Sequence, residues 1–272
     1  MSNDDCGVAQ ALGVLGDAWS VLILRDVARG HTRFERLLAE SGISRKVLAQ
    51  RLTALVEAEV LERATYQDNP PRHDYRLTER GRAALPVLAA LQDWGDTWLL
   101  GDGTTSATAS VSSAEAHRVA GLVGSRLPEL SNDPVADASY TVVYCFPGTE
   151  LAGIDGVPGG PGCTLESCTY RDRLPDFAEY DAAVVGVSTQ RPEEQGDFAR
   201  ANGIQFPLVS DADLELATAL RLPTFRLGGA ARLKRLTLVV GRDRVVRGTL
   251  FPIRDVTGSV DDALTLVRSL AT

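Results

Sequence analysis

Between Trp98 and His117 the chain reads LLGDGTTSATASVSSAEAH, a run of Gly, Ser, Thr and Ala with few side chains large enough to bury. Such a composition reads as a flexible linker, assigned here to residues 101–114. The hydrophobic period changes across it, and the 272 residues are enough for a core on each side. The expectation is two domains, 1–100 and 115–272.

Before the linker the period is helical. Val8–Leu15 and Trp19–Val27 place apolar residues at i, i+3, i+4 spacing, with Asp17 positioned to cap the second segment. A third helix over 33–39 ends at Ser41-Gly42, and a fourth, capped by Ser44, runs to about residue 58. Residues 60–66 and 73–77, parted by QDNPPR, form a short hairpin. A last helical segment opens at Thr78-Glu79 and carries Pro86, which bends or divides it. Three helices and a hairpin describe a winged helix-turn-helix. Its recognition helix would present Ser44, Arg45, Lys46, Gln50 and Arg51, with Arg33 before the turn and Arg72 and His73 in the wing. Arg and Lys suit phosphates and guanine edges, and Gln suits adenine. The net charge of −8 hides a local balance that permits this. Residues 31–82 carry ten Lys/Arg against eight Asp/Glu, whereas 101–272 carry sixteen against twenty-two. A solvated basic face on a helical interaction domain is the alternative.

After the linker strands alternate with helices. Tyr140–Phe146, Ala182–Ser188, Leu236–Val240 and Val245-Val246 read as strands, and 164–180, 192–202, 211–220 and 260–270 as helices. That alternation predicts an α/β domain with a buried central sheet. No run of about 18 apolar residues appears, and the acidic N-terminus lacks the pattern of a signal peptide. The expected compartment is the cytoplasm, with no membrane partner. Cysteines in a reducing compartment read as buried, metal-binding or redox-active rather than as structural disulfides.

Cys163 and Cys168 stand five residues apart in GGPGCTLESCTYRD. A zinc clip is disfavoured, because the half offers only Cys145 and His117 besides and no second close pair. The Gly-Pro loop delivers Cys163 to the first turn of a helix, where unpaired N–H groups and the dipole lower a thiol pKa. On an ideal helix, Cα atoms five residues apart lie roughly 8–9 Å apart. A disulfide requires about 7 Å or less, so joining the two thiols requires that turn to melt. Cys145, inside an apolar strand, reads as buried and inert.

Two family resemblances follow from longer motifs. Over residues 6–98 the chain resembles the HxlR family of winged-helix regulators, through the leading Cys6, LGDAWSVLILRD, RFERL, GISRKVLAQRL, EAEVLER and RLTERGRAALP. The resemblance implies a homodimer packed through its first and last helices, on a pseudo-palindromic double-stranded DNA operator. Some members use the leading cysteine as a redox sensor, which makes Cys6 a candidate beside its reading as a partly buried residue. Gly7 stands where many members have proline.

Over roughly 115–271, VVYCFP, GCTLESCTYRD, VVGVSTQRPEEQGDFARANGIQFPLVSDADLELATAL and KRLTLVV resemble a peroxiredoxin of the bacterioferritin-comigratory (Q) type. This implies a thioredoxin-like fold, reduction of peroxide at the expense of a thioredoxin-like reductant, and neither metal nor cofactor. By motif, Cys163 is the peroxidatic thiol, Cys168 the resolving thiol and Arg235 the cation that holds the thiolate. The chain departs at two motif positions, with Gly160 for threonine and Gly156 for proline, and ELAGIDGVPGG lengthens the preceding loop. Loss of the threonine hydroxyl implies slow turnover. The leading expectation is a redox-responsive regulator. The alternatives are a thiol peroxidase whose winged helix mainly dimerises it or keeps it near DNA, and a ligand-responsive regulator built on a non-redox scaffold.

Overall fold

The computed structural model describes residues 5–271. The chain divides into two compact units at Leu88/Ala89.

The first unit opens with α1 (Gly7–Leu15) and α2 (Ala18–Ala28), the latter capped by the Asp17 carboxylate, which accepts from the Trp19 and Ser20 amides. The turn pair follows as α3 (Phe34–Ser41) and α4 (Arg45–Glu57). The wing is the antiparallel hairpin β1 (Leu61–Asp68) and β2 (Pro71–Leu77). Both strands run further toward the NPP turn than the sequence pattern suggested, because backbone pairing persists where the side chains are polar and exposed. A core of Ile23, Leu24, Val27, Leu37, Leu48, Leu52 and Leu55 gathers the inner faces of α2, α3 and α4. The segment after the wing is divided, as Pro86 requires, into α5 (Glu79–Arg82) and α6 (Leu85–Trp98), with Pro86 in the first turn of the longer helix.

The second unit begins within α6 and continues through α7 (Ala114–Ala120) to a five-stranded sheet ordered β5-β4-β3-β8-β9. Here β3 is Tyr140–Cys145, β4 Ala182–Ser188, β5 Leu208–Ser210, β8 Leu236–Gly241 and β9 Val246–Leu250. β3 lies parallel to β4 and antiparallel to β8. Covering helices are α8 (Cys163–Asp172), α9 (Leu174–Ala178), α10 (Pro192–Asn202), α11 (Glu215–Leu220) and α12 (Gly258–Ala271). A hairpin of β6 (Thr224–Leu227) and β7 (Ala230–Leu233) stands apart from the sheet. The alternation of β3 sends Val142 and Tyr144 into one core layer and Val143 and Cys145 into the other. Both faces are therefore covered, which is why the central strands read as continuous apolar runs.

Three readings change. The helix expected over 164–180 is broken at Arg173, where Pro175 starts a second short helix. β5 and the β6–β7 hairpin were not anticipated, since strands of three and four residues carry too few side chains to show a period. The stretch read as a flexible linker is held: Ala107 is fully buried, its N–H donates to the Pro158 carbonyl at 2.9 Å, and its carbonyl accepts from the Arg235 amide at 3.3 Å. Small side chains here permit close backbone packing rather than freedom.

Candidate active site and nucleic-acid interface

β3 runs out at Cys145, and the chain turns through Phe146-Pro147-Gly148 into the long loop that returns to α8. Cys163 is the first residue of α8, 5% exposed, on the core layer opposite to Cys145. Arg235, immediately before β8, is 1% exposed and brings Nη2 to 3.3 Å from the Cys163 Sγ. The same Nη2 donates to the carbonyls of Gly160 and Pro161, both at 3.2 Å. The thiol donates in turn to the Gly160 carbonyl at 3.7 Å. Cys163 and Arg235, assigned from separate motifs, thus meet.

Sequence reasoning missed Glu166. One turn after Cys163 on the same face of α8, it is fully buried and pairs with Arg235 Nη1. Two facts pointed to it: i,i+3 spacing brings its side chain beside that of Cys163, and a buried arginine demands a counter-charge. Glu166 Oε1 and Arg235 Nε have no hydrogen-bond partner among the described residues.

Electrostatics corrects one expectation. Burial pushes the Cys163 thiol above its ordinary pKa, while the Arg235 guanidinium and the Gly148 amide pull against it and Glu166 adds to the rise. The helix terminus was expected to lower it, but desolvation of the sulfur is the larger effect. Glu166 is likewise pushed up by burial, to about 7, against the pull of Arg235. Cys145 is raised by burial, as befits an inert thiol.

Cys168 is half-buried and lies on the same unbroken helix as Cys163, and both are free thiols. Ser167 accepts from the Tyr144 hydroxyl at 3.0 Å, and Tyr170 stacks on Tyr144 with ring centroids 4.4 Å apart, so the inner face of α8 is anchored to β3. At Gly160 a Cβ would lie 2.7 Å from the Ile154 carbonyl oxygen. The lengthened loop has placed backbone where the motif threonine would stand. Gly156 closes a one-turn 3-10 helix, Ile154–Gly156, within that loop.

In the first unit the expected DNA-facing residues divide. Lys46, Gln50 and Arg72 are exposed, with no ion pair among the described residues. Arg45 forms a bidentate pair with Glu35 at 2.7 and 2.9 Å. Arg33 sits 3.4 Å from Asp74 and over the Tyr66 ring. Ser44 spends its hydroxyl on capping α4. His73 contacts Thr65 across the wing. Arg51 is half-buried against Asp17 at 3.0 Å, which ties α4 to the α2 cap and commits its guanidinium within the domain. Cys6, weighed as partly buried, is exposed at the start of α1.

Comparison with known proteins matches both units. The HxlR-like helix-turn-helix family matches residues 14–102, and the AhpC/TSA family matches 155–249. An uncharacterized HTH-type transcriptional regulator of Synechocystis is 39% identical over 95 residues, covering 35% of this chain and 70% of that protein. A putative peroxiredoxin of Mycobacterium tuberculosis is 34% identical over 110 residues, covering 40% and 71%. The chain joins an HxlR-like helix-turn-helix domain to an AhpC/TSA-family peroxiredoxin domain. An HTH-type regulator of M. tuberculosis is 42% identical to the HxlR-like part over 92 residues, and the chain spans 58% of that relative's length. The peroxiredoxin domain is similar to the crystal structure of the peroxidoxin BcpB from M. tuberculosis, at 30% identity and a TM-score of 0.43 over 49% of this chain and 81% of that one. Among the described residues no single helix is long and apolar enough to cross a membrane.

Proposed function

We propose that this HxlR–peroxiredoxin fusion is a redox-responsive transcriptional regulator of the cytoplasm. The observation that carries the reading is Cys163 held 3.3 Å from a buried arginine, on a helix shared with Cys168, in a chain that also bears a helix-turn-helix. The Cys163 thiolate attacks one oxygen of a hydroperoxide, and the O–O bond breaks. The sulfur becomes sulfenic acid while the peroxide leaves as an alcohol or water after taking a proton. Arg235 stabilises both the thiolate and the departing oxygen anion. Cys168 then attacks the sulfenic sulfur, water leaves, and a disulfide forms once the first turns of α8 have opened. A thioredoxin-like dithiol reduces it.

The DNA end of the reading assigns Gln50 to the groove and Lys46 and Arg72 to the backbone phosphates, with Arg45 exchanging Glu35 for phosphate on binding. A homodimer on a pseudo-palindromic site is supported by the apolar stripe Val87, Leu91, Trp94 and Trp98 on α6 and by Val8 and Leu12 on α1, each between 49% and 70% exposed. Opening of α8 changes operator affinity.

The test measures operator binding by reduced protein, peroxide-treated protein and Cys163→Ser. The treated wild type should depart from the other two by about tenfold or more, and identical affinities in all three would end the regulatory reading. The Cys163–Arg235–Glu166 cluster also favours a second reading, a thiol peroxidase in which the HxlR-like domain serves for dimerisation or DNA localisation. Sustained turnover with a thioredoxin-like reductant, without a specific DNA site, would select it.

A further inference from the structure

The segment expected to be a free linker lies against the back of the peroxidatic loop. Ala107 is bonded on one side to Pro158 and on the other to the backbone of Arg235, the residue whose side chain holds Cys163. The Ser106 hydroxyl adds a second bond to the Pro158 carbonyl at 3.3 Å. Gly159 has φ +74, and a Cβ on it would lie 2.8 Å from the Thr108 Cβ, so the Thr108 side chain packs directly on the bare backbone of the loop. Lys234 latches the crossing: its ammonium donates to the Thr108 carbonyl at 3.4 Å and pairs at 2.8 Å with Glu115 at the start of α7. Both charged side chains are about nine-tenths buried. Pro158–Pro161 is thereby sandwiched, with Ser106–Thr108 on one side and the Arg235 guanidinium and the Cys163 thiol on the other.

We propose that Ser106–Thr108, latched by Lys234–Glu115, is a strap that positions Arg235 and the peroxidatic loop, and that formation of the Cys163–Cys168 disulfide releases it. The release half rests on the peroxide chemistry proposed above; the positioning half does not. Arg235 touches the strap through its main chain and the thiol through its side chain, so neither can move without disturbing the other. Opening the first turns of α8 takes Cys163 from Arg235 and loosens the Gly160 and Pro161 carbonyls that the same guanidinium holds. The Pro158 carbonyl, two residues before Gly160, then leaves Ala107. Residues 99–105 join α6 to the strap, and among them the Gly103 amide bonds back to the Thr97 carbonyl at 3.0 Å, so the redox state of the thiol reaches the helix through which the chain passes from one unit to the other. Coupling of this kind is reciprocal: loosening the strap must also disturb the thiol.

The experiment uses the full chain and two readouts, amide exchange at Ala107 and the pH profile of Cys163 alkylation. In reduced Glu115→Gln, which removes the latch, Ala107 exchange should quicken at least about tenfold and the alkylation midpoint should rise. At pH 7 the rate, relative to its own high-pH plateau, should then fall about threefold. The groups facing the sulfur are Arg235, Glu166 and the Tyr144 phenol. Deleting a negative charge elsewhere would lower the midpoint by Coulomb's law, so a rise reports displacement of the guanidinium. An unmoved or lowered midpoint, or unchanged Ala107 protection, overturns the positioning role; Ser106→Ala, which removes the hydroxyl bond to Pro158, carries the same test if Glu115→Gln fails to fold. In peroxide-treated wild type whose disulfide is verified by intact mass, Ala107 protection should fall at least about tenfold, and retained protection overturns release. Absence of any disulfide refutes the peroxide chemistry and release with it, leaving positioning to be decided by Glu115→Gln.

Discussion

Gly160 shows at the scale of one residue how a departure from a motif can be compulsory. With the Ile154 carbonyl 2.7 Å from the site of a Cβ, restoring the threonine by Gly160→Thr should destabilise the domain by about 1–3 kcal/mol rather than improve catalysis. Denaturant unfolding beside a peroxidase assay checks this, and a stable variant with faster turnover would contradict it. The buried pair beside the thiol also makes a prediction. Glu166 is held up at about 7 against an ordinary 4.5, so between those values the folded protein retains a proton that the unfolded chain has lost. Stability therefore falls as pH rises through that window and levels off above it. Asp211, raised by burial to about 7, and Asp93, also raised by burial, contribute the same sign, so Glu166→Gln should reduce the slope rather than abolish it. Thermal or urea unfolding from pH 4.5 to 8 measures it. Truncating Arg235 to Met should cost about 3–5 kcal/mol at pH 8, because Glu166 is left buried without its cation, and less at pH 5, where the carboxyl is protonated.

At the scale of the element, α8 combines two demands. Its inner face is fixed to β3 by Ser167 and Tyr170, while its first turns must open for Cys168 to reach Cys163. Oxidation should therefore remove about one to two turns of helix, seen as reduced far-UV ellipticity that returns with dithiol and is absent in Cys168→Ser. Unchanged ellipticity in protein shown by mass to carry the disulfide would contradict this. In α4, exposure separates residues of the same type. Lys46→Ala should weaken operator binding and lower its salt dependence by about one unit of slope, whereas Arg51→Ala should act mainly on stability through the lost Asp17 contact. Titrations at several salt concentrations beside a melting curve separate the two.

At the scale of the whole molecule, the exposed apolar stripe on α6 predicts assembly. Leu91→Glu with Trp94→Glu should convert a dimer to monomer in sedimentation and weaken operator binding by more than about tenfold. Both domain types and the order of the longer elements were legible in the sequence, because amphipathic helices and fully buried strands repeat their period several times, whereas β5, β6 and β7 were too short to show one. The meeting of Cys163 with Arg235 was legible because each lies in a contiguous motif. Glu166 as the counter-ion, the anchorage of Ala107 and the commitment of Arg51 to Asp17 were not, since each depends on which distant segment arrives beside it. The Gly/Ser/Thr/Ala stretch shows the division best. Its composition determined that it could form no core of its own. Only the tertiary structure decided that its bare backbone would be received between Pro158 and Arg235, because a close fit of main chain to main chain leaves no trace in hydrophobic pattern.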